Sequence, residues 1–169
     1  RWTGFTTIYI YSGQSNDAMK TDITIVNEFS KFLSKKGFPC IAAKAALSKN
    51  QVQYLVADHM ACPADDKKIL SFIYSFVDRY RTAKNSFDSA AIIFREPCVL
   101  DETTFDQLLW QRLKALASLD SRNYSHDPRV DSNPASPHFS FSLKSEAFFI
   151  LGLHPGSSRK SRRFSYPSL

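Results

Sequence analysis

The sequence predicts an α+β domain, with about three helices packed on an antiparallel sheet that ends in a C-terminal hairpin. Three observations predict it. Apolar residues recur at three- and four-residue steps in three separate stretches, which places them on one face of a helix. Phe139, Phe141 and Leu143 alternate with serines, the two-residue period of a half-buried strand. Helical and strand stretches do not alternate as regular βαβ units, which favours segregated elements over a parallel α/β sheet.

Phe5–Tyr11 is aromatic and β-branched and reads as a strand, followed by a loop over Ser12–Asp17. From Asp22 a helix buries Ile25, Val26, Phe29, Phe32 and Leu33; Lys31, Lys35 and Lys36 suit its C-terminal dipole, and Gly37 and Pro39 stop it. Phe38–Leu47 is apolar and of open type. Val52–Ala57 reads as a strand with Tyr54 and Val56 on one side. Pro63 opens a second helix with the face Ile69, Phe72, Ile73, Phe76, Val77 and Tyr80. Ser89–Phe94 is a compact apolar run, expected as a buried strand. Asp101 or Thr103 caps a third helix that buries Phe105, Leu108, Leu109, Leu113 and Leu116, with Trp110 beside the stripe. Ser121–Pro137 is polar and irregular. Beyond it, Phe139–Leu143 and Ala147–Leu151 form a hairpin around Lys144-Ser145-Glu146, the first arm half-buried and the second deeply buried.

With 169 residues and 14 phenylalanines the chain has enough apolar mass for one core. Cys40, Cys62 and Cys98 form no CxxC pair and no zinc spacing, which points to a reducing, cytoplasmic setting; Cys62 and Cys98 read as structural. No apolar run approaches a membrane span, so no membrane partner is expected. The chain opens on Arg1 without an initiator Met or a signal-peptide pattern, as expected of a trimmed or fragmentary N-terminus. The net charge is +6, and Arg159, Lys160, Arg162 and Arg163 fall within five positions.

His154 follows the second hairpin arm in the turn Gly152-Leu153-His154-Pro155-Gly156. A neutral imidazole held at the edge of a core is a donor for iron, and its second nitrogen then needs a partner. Haem b also carries two propionates, which Arg159, Arg162 and Arg163 suit by bidentate pairing. A histidine after a strand is nonetheless more often a turn or surface residue, and a basic run more often a solvated tail. Cys40 offers a thiolate alternative for iron, against the commoner fate of an inert buried thiol. His59, His126 and His138 show no ligand spacing, and Asp101, Glu102 and Asp120 read as caps rather than catalysts. There is no nucleophile elbow or phosphate loop, and no catalytic residue is assigned.

Several blocks carry a resemblance. They are Phe38-Pro39-Cys40 with Ala43-Lys44-Ala45-Ala46, then Leu109-Trp110-Gln111-Arg112-Leu113 with Asp120, then Pro137–Leu143, then Ala147–Pro155, and then Ser158-Arg159 with Arg162-Arg163-Phe164 and Pro167. In this order they resemble the YqcI/YcgG family from about Phe38 to Pro167. The characterised relatives include haem-dependent hydroxylases of guanidino compounds in guanitoxin and D-cycloserine biosynthesis. The resemblance implies haem b with its iron, and O2-dependent N-hydroxylation of a small guanidino or amino substrate fed by an electron donor. It implies His154 as axial ligand with Cys40 second, and it places Trp110 and Phe141 at pocket-wall or core positions. Residues 1–169 then form a single domain, with residues 1–20 poorly matched. Family members continue past the Arg-Arg-Phe block, so a chain that stops at Leu169 is expected to be C-terminally incomplete. The family's hairpin turn often carries glycine; Lys144-Ser145-Glu146 has none, which predicts a strained turn.

Two other readings stay open. One is a non-enzymatic module that binds a polyanion or nucleic acid through Arg159–Arg163; the absence of a nucleic-acid motif argues against it. The other is a truncated family member without activity.

Overall fold

The computed structural model describes residues 20–38, 40–83 and 88–169; the strand expected over Phe5–Tyr11 lies outside them. Helix α1 (Asp22–Leu33) starts where Thr21 turns extended and its hydroxyl accepts the Thr24 N–H at 3.3 Å. Ile25, Phe29, Phe32 and Leu33 are its buried face. Ser34 caps it, three residues before the expected glycine stop.

The open-type segment after Phe38 is a helix, α2 (Ile41–Ser48), so there are four helices rather than about three among the described residues. Its alanines are good helix formers, but they supply little apolar periodicity from which to read a face.

Strands β1 (Val52–His59) and β2 (Ser89–Glu96) pair in parallel, with Val56 opposite Ile93. Helix α3 (Asp66–Thr82), entered through a 3₁₀ turn at Pro63–Asp65, supplies the crossover that parallel strands require. This corrects two expectations, the wholly antiparallel sheet and the absence of a βαβ unit. The signal was the run Ala90–Phe94: a strand apolar on both faces is the mark of a covered parallel sheet. Ala91 and Ile93 enter one core with α1, while Ile92 and Phe94 enter the other with α3 and helix α4 (Glu102–Asp120). Each fully buried Ile, Leu or Phe contributes roughly 1.5–3 kcal/mol.

The outer edge of β2 is covered by residues 167–169. Ile92 and Leu169 exchange two backbone hydrogen bonds (3.1 and 3.0 Å), and the Phe94 N–H donates to Pro167 O at 2.9 Å. On the far side, Leu153 and Ser168 exchange two more at 2.9 and 2.8 Å. The layer therefore runs β1, β2, residues 167–169, Leu153.

Asp101 caps α4, its carboxylate accepting the Thr104 N–H at 2.7 Å, and that contact holds its carboxyl below the usual range. Arg112 of α4 is buried against Asp66 of α3, and its Nε donates to Met60 O at 2.9 Å. Strands β3 (Phe141–Leu143) and β4 (Glu146–Phe148) form the antiparallel hairpin. Its turn has two residues, Lys144 and Ser145, with φ of 52° and 54°. This is the left-handed geometry of a primed hairpin turn, and the strain expected without glycine lies there. Asp120 offsets it by accepting the Lys144 N–H at 3.0 Å, so this acid anchors the hairpin and is not a cap.

The second hairpin arm is not deeply buried, contrary to expectation. It ends at Phe148, its residues are half-buried, and Phe149 is 90% exposed. No further strand pairs with the hairpin among the described residues; the Ala147 N–H is taken instead by the Asp127 carboxylate at 2.9 Å.

Candidate functional site

A cavity of about 380 Å³ opens between α1, the start of β2, the C-terminal half of α3 and the hairpin. Phe29, Phe38, Phe76, Phe141 and Phe148 wall it, and Cys40 borders it. Three rings arrive through regular elements, Phe29 on α1, Phe76 on α3 and Phe141 on β3, so their positions follow from packing periodicity. Cys40 is the N-cap of α2, and its Sγ accepts the Ala43 N–H at 3.4 Å. The carboxylate-bearing residues on the cavity wall are Asp88 and Glu146.

Glu146 is held from two sides. Arg81 Nε donates to it at 3.2 Å, while the same guanidinium donates to the carbonyls of Lys144 and Ser145 at 2.9 and 3.1 Å. Arg129 reaches Glu146 from the other side and also binds Asp127, through Nε at 2.9 Å. Asp127 is buried and accepts the Arg129 and Ala147 N–H groups, both at 2.9 Å. The Arg129 guanidinium and these N–H donors hold its carboxyl well below the usual carboxylate range. Beside the turn, Tyr74 donates to Asp120 at 2.8 Å. Burial and that carboxylate push the Tyr74 hydroxyl up, so it stays protonated and able to donate. Lys144 Nζ meets Asp78 at 2.6 Å.

His154 is 3% exposed and does not border the cavity. Its N–H donates to Arg162 O at 3.2 Å, and its carbonyl accepts the Ser157 N–H at 3.3 Å. The ring stacks on Phe105, and Nδ1 is buried with no hydrogen-bond partner among the described residues. Burial lowers the imidazole pKa, opposed by the charges of Glu102 and Asp101, so the neutral form is favoured. The two glycines of this turn sit where side chains do not fit: a Cβ on Gly156 would lie 1.9 Å from Leu100 O, and one on Gly152 would lie 2.7 Å from Phe105 Cε1.

The other candidates divide. Phe141 walls the cavity; Trp110 does not, and packs on Phe139 with centroids 6.2 Å apart. Arg159 and Arg163 are exposed and Arg162 is half-buried, none of them on the cavity. Arg163 instead borders a separate surface hollow with Lys31 and Lys35. Cys62, read as structural, is exposed; Cys98 is half-buried, and its thiol contacts Arg95 O at 3.0 Å. His138 is exposed, His59 accepts the Ala61 N–H at 3.0 Å, and His126 keeps a buried Nε2 without a partner among the described residues. Sequence reasoning gave no site role to Asp66, Asp88, Asp127 or Glu146. Asp127-Pro128-Arg129 carried a signal, since an Asp that binds the N–H two residues on is a turn former.

Among the described residues no group of three or more His, Cys, Asp and Glu side chains is placed to hold a metal ion. No described helix is long and apolar enough to cross a membrane.

Fold and site together define an α+β domain built around an aromatic-walled cavity, with a thiol on one side and carboxylates on another. A family model described as the YqcI/YcgG family matches residues 29–169, and the chain belongs to the YqcI/YcgG family. No curated protein and no solved structure matches it.

Proposed function

We propose that this chain is a haem-dependent oxygenase that hydroxylates a nitrogen of a small guanidino or amino compound. The observation that carries the proposal is the placement of Cys40, a sulfur donor beside the first-turn N–H groups of α2, on the border of an apolar cavity walled by phenylalanines. The cavity volume lies in the range of roughly 300–1,000 Å³ usual for small-molecule sites.

The residues present fit haem b in part. Cys40 is the first candidate to hold the iron, because the helix N-terminus favours the negative charge that a metal-bound sulfur carries. His154 is second: its neutral imidazole with an orphaned Nδ1 is donor chemistry, but the ring lies against Phe105 and away from the cavity. Arg159, Arg162 and Arg163 do not border the cavity, so propionate pairing is not assigned to them. Phe29, Phe38 and Phe141 would flank the macrocycle and exclude water. Asp88, on the cavity wall, would meet the positive charge of a guanidinium or ammonium substrate, whereas Glu146 is already paired with Arg81 and Arg129. Haem supplies the activation of O2. In the net reaction one oxygen atom enters an N–H bond and the other leaves as water, with two electrons and two protons from a donor.

The test is spectroscopic. Protein from haem-supplemented expression is expected to show a Soret band and to bind CO when reduced. Cys40→Ser should abolish or shift the band while His154→Ala keeps it. Colourless wild-type protein overturns the reading; a band that moves with His154→Ala alone reassigns the ligand.

A further inference from the structure

We propose that the hollow bordered by Lys31, Lys35 and Arg163 is the docking surface for an acidic electron-donor protein. The proposal rests on the oxygenase reading, which requires a donor.

The hollow has a volume of about 280 Å³. Lys31 and Lys35 come from the C-terminal end of α1 and the turn after it, and Arg163 from the segment after His154. All three are exposed, and no described carboxylate lies within ion-pair distance of them. The acid in the hollow, Glu28, is already taken by Lys20 at 2.7 Å. The surface therefore offers uncompensated positive charge, which attracts and orients an acidic partner and suits a weak, transient encounter.

Beneath the charge lies an aromatic layer. Phe32 and Phe164 line the hollow with centroids 5.2 Å apart. Phe164 contacts Phe29 at 5.1 Å and Phe32 contacts Phe38 at 5.5 Å. Phe29 and Phe38 wall the cavity that Cys40 borders. The hollow and the cavity are thus the two sides of one layer of packed rings. A donor docked here would face the cavity across that layer of rings.

The test measures binding on the full chain, independently of activity. The probe is an acidic [2Fe–2S] ferredoxin, titrated by calorimetry at about 20 mM and about 300 mM salt. Lys31→Glu/Lys35→Glu/Arg163→Glu is compared with Lys67→Glu/Lys114→Glu/Arg122→Glu, which changes net charge equally on exposed positions elsewhere. Both must keep the wild-type circular dichroism; if the first triple variant does not, its three single variants replace it. The expected result is salt-sensitive binding that weakens about tenfold or more in the first variant and much less in the second. Equal weakening in both, or no binding by wild type, overturns the proposal. Binding of a DNA duplex through the same three residues with no ferredoxin binding also overturns it, in favour of a nucleic-acid surface. The two readings fail separately. A colourless protein that binds ferredoxin through the hollow keeps the docking surface and sinks the haem reading, while a coloured protein that ignores ferredoxin does the reverse.

Discussion

The imidazole of His154 lies against the ring of Phe105, with centroids 4.3 Å and planes 16° apart. Burial favours the neutral ring, so its folded pKa is below the ordinary value. As pH falls, the unfolded chain takes up this proton first. The stability His154 contributes is therefore fully present above the unfolded pKa of about 6.5, and is lost as pH drops through that value toward the folded one. Between about pH 7.5 and about pH 5, urea midpoints should fall further for wild type than for His154→Leu. Equal falls would mean that the ring titrates alike in both states.

Asp127 gives the opposite titration. Its carboxyl is held low by Arg129 and backbone N–H groups, so its contribution is present above the unfolded pKa and is lost progressively as pH falls from there through the folded one. Asp127→Asn should be less stable than wild type at neutral pH, and the gap should narrow below about pH 4. A gap that stays constant down to about pH 2 contradicts the assignment.

The buried pair of Arg112 and Asp66 predicts an asymmetric double-mutant cycle. Removing one partner, as in Asp66→Leu or Arg112→Met, leaves a desolvated charge or the Met60 carbonyl unpaired and should cost about 3–5 kcal/mol. Asp66→Leu/Arg112→Met should cost clearly less than the sum of the single changes, measured by urea unfolding. Additive costs would place the two groups out of contact.

At the hairpin turn, Ser145 occupies a left-handed conformation while its hydroxyl donates to Ser125 O at 2.9 Å. Ser145→Gly relieves about 1–2 kcal/mol of backbone strain and forfeits a hydrogen bond worth about 0.5–1.5 kcal/mol. The glycine variant should be slightly more stable, by about 0.5 kcal/mol. Ser145→Val should be less stable than wild type, because a branched Cβ worsens the same strain. If Val is tolerated as well as Gly, the turn is not left-handed.

Gly156→Ala tests the packing beneath His154. The added methyl meets a backbone carbonyl, Leu100 O, which cannot rotate aside. The turn must shift, at about 1–3 kcal/mol in thermal unfolding. An alanine variant as stable as wild type would show that the segment is not seated on Leu100.

Helices α1, α3 and α4 were legible because each buries one face over three turns or more, and a period of 3.6 needs no knowledge of the partner. The neighbour of β1 was not legible, since Val52–Ala57 suits either a parallel or an antiparallel partner and the choice lies with β2, beyond α3. The sequence left His154 open between the edge of a core and the surface, and neither its burial nor its contact with Phe105 was legible, because that ring comes from the start of α4. Cys40 could be read as a donor, whereas its meeting with Phe141 and Glu146 at one cavity depends on the crossover through α3. The basic run was visible as a run, and its neighbours Lys31 and Lys35 were not, because α1 reaches it only through the packing of Phe29 and Phe32 on Phe164.

Residues 167–169 sit between β2 and Leu153. Contacts of such long sequence separation form late, after local helices and the βαβ unit. During synthesis β2 therefore waits with its outer amides bare and Ile92 unprotected, a template for any other nascent strand. Aggregation in the cell should be governed by how quickly the ribosome delivers residues 167–169, and slowing translation between Gly152 and Pro167 should lower soluble yield without altering the folded domain.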